Sequence, residues 1–335
     1  MRKWKSICIS AGILWAFFVF LPAILAVQDD EFKPNKLETA DLSKRKEPGF
    51  FHRPAQASPA SQLKYADKLL AEGKQKAAMK QFGALVHQWH ASPEAAPAQL
   101  AFARILYDKS DYRKAFAEFQ YLIENFAGQF PYEEALDKQF RIANYQMTAK
   151  RMKFFFLPGF SVQEEAIPLF EKIVKSAPSW KNSVEAQYNI GLINEQLGDY
   201  PAAIKAYDAL RFNYPAGSRA GDAGFRKAYC LYVSANDSPR DETLCREALS
   251  ALAGFIGDYP ANGNIAQAGE YRDKLDERLA AMYYDRAVFY DKTPGKQKSA
   301  LVAYEDFARK FPSSRQLEKA MDRIETLKKE IGKNK

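Results

Sequence analysis

The chain has 335 residues, 49 Lys and Arg against 41 Asp and Glu, three His, three Cys and a mean hydropathy of −0.43. So few Cys exclude a disulfide-dense scaffold or a Cys-based zinc cluster, and three His leave little for a His-based metal site. A single long apolar run excludes a polytopic membrane protein, and a formal charge of +8 permits an acidic partner without demanding nucleic acid.

The first residues carry Arg2, Lys3 and Lys5, and then an uncharged stretch from Ile7 to Ala26. This is the pattern of a secretory signal ending at Ala26; an uncleaved anchor over residues 1–26 has the same composition. Either way the rest of the chain is delivered outside the cytoplasm. Cys8 falls inside this segment, so two Cys lie beyond it. Residues 27–60 are rich in Lys, Glu, Asp and Ser, and Pro34, Pro48, Pro54 and Pro59 punctuate them. They lack a hydrophobic period and read as a disordered linker.

From residue 61 the pattern turns helical and repeats. An Ala is followed four residues on by an aromatic in five of six units, with Leu in the other, and three further by an apolar residue. The triplets are Ala78-Phe82-Leu85, Ala115-Phe119-Leu122, Ala166-Phe170-Ile173, Ala203-Tyr207-Leu210, Ala248-Leu252-Phe255 and Ala300-Tyr304-Phe307. Pro178, Pro215, Pro260 and Pro312 each stand twelve residues after the Ala of the last four. This is the second half of a tetratricopeptide repeat. The small Ala admits a neighbouring helix, the other two positions fill the same face, and Pro ends the helix. First halves show small residues at Ala66, Ala103 and Gly191, and turn glycines at Gly73, Gly198 and Gly295. The expected fold is all-α, a solenoid of about five to six repeats over residues 61–331 with a closing cap helix.

Irregularities give the chain its individuality. About eleven extra residues enter the third repeat, a longer connection is expected around Ser234 to Arg240, and a long helix runs from Ile265 to about Tyr290. The third-repeat insertion holds Lys150, Arg151, Lys153, Phe154, Phe155, Phe156 and Phe160. Exposed, it would be a partner-docking loop; folded back, it would be a satellite core. Cys230 and Cys245 flank the fifth repeat's connection. They can form a disulfide in an oxidising compartment, or pack as two buried thiols.

Catalytic chemistry is not evident. His87 and His90 fit the end of a repeat helix better than a metal site, which would need a third ligand. There is no G-x-S-x-G, P-loop, H-E-x-x-H or G-x-G-x-x-G motif. No enzyme activity, metal or cofactor is expected. A solenoid's first helices line its concave face, and matching repeat positions places Arg104, Tyr107, Phe140, Asn144, Tyr188, Tyr229 and Tyr232 there. Aromatic and amide side chains suit an extended peptide.

The export segment, the Tyr214-Pro215, Tyr259-Pro260 and Phe311-Pro312 repeat endings, the aromatic insertion KFFFLPGF and the long helix YRDKLDERLAAMYYDRAVFY together resemble the BamD family. These are tetratricopeptide proteins of the outer-membrane β-barrel assembly machinery. The resemblance implies a non-catalytic scaffold at the periplasmic face of the outer membrane. It implies that the N-terminal repeats receive unfolded outer-membrane proteins, and that the C-terminal repeats contact a BamA-like barrel and other subunits. Members usually carry a lipidated Cys just after the signal. Here Cys8 precedes the apolar core and Ala26-Val27-Gln28 offers no acceptor. The alternative is another envelope adaptor, such as a Tol–Pal or cell-division coordinator or a secretion or pilus scaffold.

Overall fold

The computed structural model describes residues 53–148 and 163–333. The signal or anchor segment, most of the linker, and the insertion residues Lys150, Arg151, Lys153, Phe154, Phe155, Phe156 and Phe160 lie outside the described residues. Among the described residues there are thirteen α-helices and no strand. They are α1 (Pro59–Ala71), α2 (Gln75–Gln88), α3 (Ala95–Asp108), α4 (Tyr112–Asn125), α5 (Tyr132–Thr148) and α6 (Ile167–Ser176), the last preceded by a 3-10 turn, Gln163–Ala166. Then follow α7 (Ser183–Gln196), α8 (Tyr200–Asn213), α9 (Ala220–Asp237), α10 (Glu242–Asp258), α11 (Ile265–Asp291), α12 (Gln297–Lys310) and α13 (Leu317–Lys333). Two compact units divide the chain, one to Gln139 and one from Phe140, with the division inside α5.

The first helix begins at Pro59, two residues before the expected start of the solenoid at residue 61. Ser58 caps it by accepting from the Ser61 backbone N–H, and Pro59 sits at its first turn, where no backbone donor is needed. Within each unit, helices joined by short connections pair as hairpins: α1 with α2 and α3 with α4 in the first, α7 with α8, α9 with α10 and α11 with α12 in the second. We call the first helix of a pair A and the second B, with α5 and α6 standing as A and B on either side of residues 149–162.

The repeat triplets are the core. All six Ala are fully buried, and so are Phe82, Phe119, Phe170, Tyr207 and Leu252 at the next position, with Tyr304 3% exposed. The third position is buried in every case, from Leu85 to Phe307. Burying an aromatic or Leu contributes roughly 1.5–3 kcal/mol, so this triplet is the main force holding each B helix to its neighbours.

Turn chemistry explains the regular hairpins. Gly73, Gly198 and Gly295 adopt φ of +74°, +79° and +75°, the left-handed conformation that ends an A helix. The α3–α4 turn uses Ser110 instead, at φ 59°. The connection from each B helix to the next A helix also repeats. Trp89, Phe126, Tyr214, Tyr259 and Phe311 are C-caps whose carbonyls accept from the N–H three residues on, in Ser92, Gln129, Gly217, Asn262 and Ser314. In α8, α10 and α12 the proline follows this cap, where it cannot continue the helix.

One expectation is corrected. The fifth pair has no long connection: α9 continues through Ser234 to Asp237, leaving only Ser238–Asp241 before α10. Asp241 accepts from the Thr243 and Leu244 N–H groups, a cap that starts α10 at once. Of the two readings of Cys230 and Cys245, the structure holds the buried thiols, both free. Cys230 faces α7, with its sulfur 3.9 Å from Glu195 Oε2, and Cys245 faces α11, 3.6 Å from the Leu275 carbonyl. The two thiols thus point to opposite neighbours of the hairpin. Burial, and then Glu195, push the Cys230 thiol up to about 12, and burial raises Cys245 as well.

Candidate functional site

In the first unit, Arg104 and Tyr107 on α3 meet the start of α5. Arg104 Nε donates to Glu134 Oε1 at 2.6 Å, with a second bond to Oε2. This pairing holds the Glu134 carboxyl below its usual range and the guanidinium above its own. Lys138 Nζ stands 3.9 Å from the centroid of the Tyr107 ring, a cation–π contact. Neighbouring A helices therefore engage each other through the residues expected to face a ligand.

In the second unit the expected residues separate into two kinds. Phe140 and Tyr188 serve packing. The Phe140 ring lies edge-on to Phe170 at 5.9 Å and to Trp180 at 5.6 Å. Tyr188 is 8% exposed, 5.8 Å from Tyr207, and Arg219 covers it at 4.8 Å. Asn144, Tyr229 and Tyr232 are half-buried at the surface. Asn144 Oδ1 accepts from Asn189 on the next A helix at 3.3 Å. Tyr232 stacks on Tyr271 of α11 at 4.2 Å and 14°, and Tyr229 approaches Tyr271 from 6.0 Å. Gln267 donates to the Tyr271 hydroxyl at 2.7 Å. Burial raises the Tyr229 hydroxyl above its ordinary value. The result is a wall of three tyrosines across two successive A helices. It presents apolar ring area and hydroxyl donors with little side-chain entropy left to lose.

Sequence reasoning missed Tyr271 because the stack joins positions about forty residues apart on helices of different length. It also missed a buried glutamine four residues before the small residue of helix A. Gln62, Gln99 and Gln187 donate to the carbonyls of Gln81, Glu118 and Ala206, each nineteen residues on, at 3.0, 3.2 and 3.0 Å. Gln139 keeps the position but donates to Phe116 O and Gln120 Oε1 of the preceding B helix. The Gln-x3-small spacing was available in the sequence. A third feature is a charge cluster: Glu242 Oε1 accepts from Tyr283 at 2.7 Å and from Arg246 at 2.8 Å, and Oε2 accepts from Arg286 at 2.6 Å. Among the described residues no group of three or more His, Cys, Asp or Glu could hold a metal ion.

Hairpins built on a small residue, an aromatic and an apolar position, stacked through their A helices, define a tetratricopeptide-type repeat protein. Residues 56–220 and 181–335 both match the family model YfiO, outer membrane lipoprotein, and the chain belongs to that family. No curated protein matches the chain significantly. Solved structures to which it is similar include MamA from Desulfovibrio magneticus, at 15% identity over 62% of this chain and 99% of that one, with a TM-score of 0.27. A tetratricopeptide repeat protein from Parabacteroides merdae shares 12% identity over 80% of this chain and 98% of its own, with a TM-score of 0.28. The P58(IPK) TPR domain shares 16% over 80% and 77%, with a TM-score of 0.25.

Proposed function

We propose that the chain is a non-catalytic scaffold of outer-membrane β-barrel assembly on the periplasmic side of the outer membrane. It receives extended segments of unfolded outer-membrane proteins and holds a BamA-like barrel. Family membership carries this reading, and the tyrosine wall on α9 and α11 supports it. Half-buried rings with free edges bind an extended chain through apolar area, while their hydroxyls and Asn144 can serve its backbone. In the first unit, Arg104 and Tyr107 offer the same combination, with Glu134 and Lys138 as exchangeable partners. The insertion from Lys150 to Phe160, with its four phenylalanines, is proposed as a further docking segment.

Photo-cross-linkers placed at Tyr232 and Tyr107 in cells test the reading. Recovery of unfolded barrel precursors and of a BamA-like protein is the expected result. Recovery of Tol–Pal, division, secretion or pilus components without any barrel-assembly protein would replace it with an adaptor of those systems.

A further inference from the structure

The positive charge of this chain is unevenly placed. Residues 292–335 hold twelve Lys and Arg against six Asp and Glu, a net of +6. The whole chain carries +8, of which Arg2, Lys3 and Lys5 supply three, so residues 27–291 come to −1. The excess therefore belongs to α12, α13 and the turns beside them.

On α12 the exposed positions Lys298, Val302, Glu305 and Arg309 recur at i, i+4, i+7 and i+11 and share one face. Lys328 of α13 reaches that face and pairs with Glu305 at 2.8 Å, and the second acid beside it, Asp306, is paired by Arg309 and Lys310. A trough of about 790 Å³ runs along it, lined by Val302, Ala303 and Tyr290 among others. Val302 stands nearly bare in the trough at 65% exposure, and Phe289 on α11, whose ring meets the trough-lining Tyr290 at 5.7 Å, is 66% exposed. Isolated exposed apolar residues are common, but here they stand beside Lys298, Arg309 and Lys328, three cations against the two acids Glu305 and Asp306, so the face keeps a net positive charge next to bare apolar area.

We infer that this face of α11, α12 and α13 docks on the headgroups of an anionic lipid bilayer. Lysine and arginine are drawn to the negative surface, while Phe289, Tyr290 and Val302 enter the boundary between headgroup and acyl chain, where aromatic residues concentrate. A bilayer satisfies both features at once. An acidic protein would satisfy the charges and leave the bare apolar side chains unexplained. Among the described residues no helix is long and apolar enough to cross a membrane, so the contact is peripheral. The docking is independent of the assembly role proposed above.

The test places an environment-sensitive NBD label on Val302→Cys in the full chain with Cys8→Ser. Cys230 and Cys245, at 0% and 1% exposure, stay unlabelled. The label reads this face alone, whatever the N-terminal apolar segment does with the same vesicles. NBD emission should rise and shift to the blue with phosphatidylglycerol–phosphatidylcholine vesicles, stay unchanged with pure phosphatidylcholine, and revert in high salt. Lys298→Ala, Arg309→Ala and Lys328→Ala should each lower the ratio of docked to undocked label roughly fivefold, and about a hundredfold together. All three residues are exposed, and circular dichroism confirms that the variants keep their helices. No response to the anionic vesicles, or an equal response to neutral ones, overturns the inference. A matching response to soluble polyglutamate without vesicles assigns the face to acidic proteins instead.

Discussion

Gly191 is where the sequence leaves least room. A Cβ built there would lie 2.5 Å from the Tyr207 ring, and that ring is fully buried and cannot retreat. Its hydroxyl donates to Glu195 at 2.9 Å, while Arg226 holds the other carboxylate oxygen at 2.7 Å. Gly191→Ala should therefore destabilise the second unit by about 1–3 kcal/mol, read as a lower urea midpoint. An unchanged midpoint would mean the hairpin opens freely. Ser110 is the opposite case. Its N–H bonds Tyr107 O and the next N–H bonds Leu106 O, the pattern that Gly73 and Gly198 make in their own turns. A side chain at φ 59° costs about 1–2 kcal/mol that glycine avoids, so Ser110→Gly should stabilise by roughly 0.5–1 kcal/mol despite glycine's greater freedom when unfolded. A loss of stability on thermal unfolding would refute this. Glu242 gives the chain an acid-sensitive point. The Tyr283 hydroxyl first, then Arg246 and Arg286, hold its carboxyl down to about 2 from an ordinary 4.5. Because the folded value lies below the unfolded one, the stabilisation is present above about pH 5 and is lost as pH falls toward 2. Glu242→Gln should flatten that part of the curve of urea midpoint against pH, whereas a wild-type slope in the variant would place the acid sensitivity elsewhere.

Between helices, the glutamines act as register pins inside an apolar interface. Gln187 gives one bond to a backbone carbonyl, so Gln187→Met should cost only about 0.5–1.5 kcal/mol. Gln99 also donates to the buried carboxylate Glu118 Oε2 at 2.7 Å, and Gln99→Met withdraws that donor from a fully buried acid. Its cost should be larger, about 1.5–3 kcal/mol, and Glu118→Gln in the same chain should recover part of it. Equal losses at the two positions, measured by denaturant titration, would show that the carboxylate is not relying on Gln99. The contrast also shows what could be read in advance. Ala203, Tyr207 and Leu210 were legible because one helix face both sets the spacing and makes the core. The turn glycines were legible because a positive φ selects the residue type. Tyr229 and Tyr232 were placed correctly on an A helix, but their partner Tyr271 depends on how two helices pass each other, which no local period encodes. The same holds for Tyr283 with Glu242, and for the cysteines: spacing gave each a place on its helix but not the neighbour it faces.

At the scale of the whole chain, stability built from adjacent helices should fail locally. Each B helix is held by the A helices beside it, and the final helix covers α12 on one flank only. There α13 buries Ala320, Ile324 and Leu327, and Arg323 grips both oxygens of Asp291 at 2.8 Å. Burial of Ile324 and Leu327 alone is worth about 3–6 kcal/mol. A chain ended at Gln316 loses that cover. Its α12 amides should then exchange hydrogen at least about a hundredfold faster, the equivalent of roughly 3 kcal/mol of local stability. Amides of α3 and α4, in the other unit, should exchange at their original rates, because nearest-neighbour coupling fades along a stack of repeats. Hydrogen exchange with mass spectrometry resolves the two regions in one experiment. Faster exchange throughout would mean that the chain unfolds as one cooperative body, and that α13 stabilises all of it rather than capping its own end.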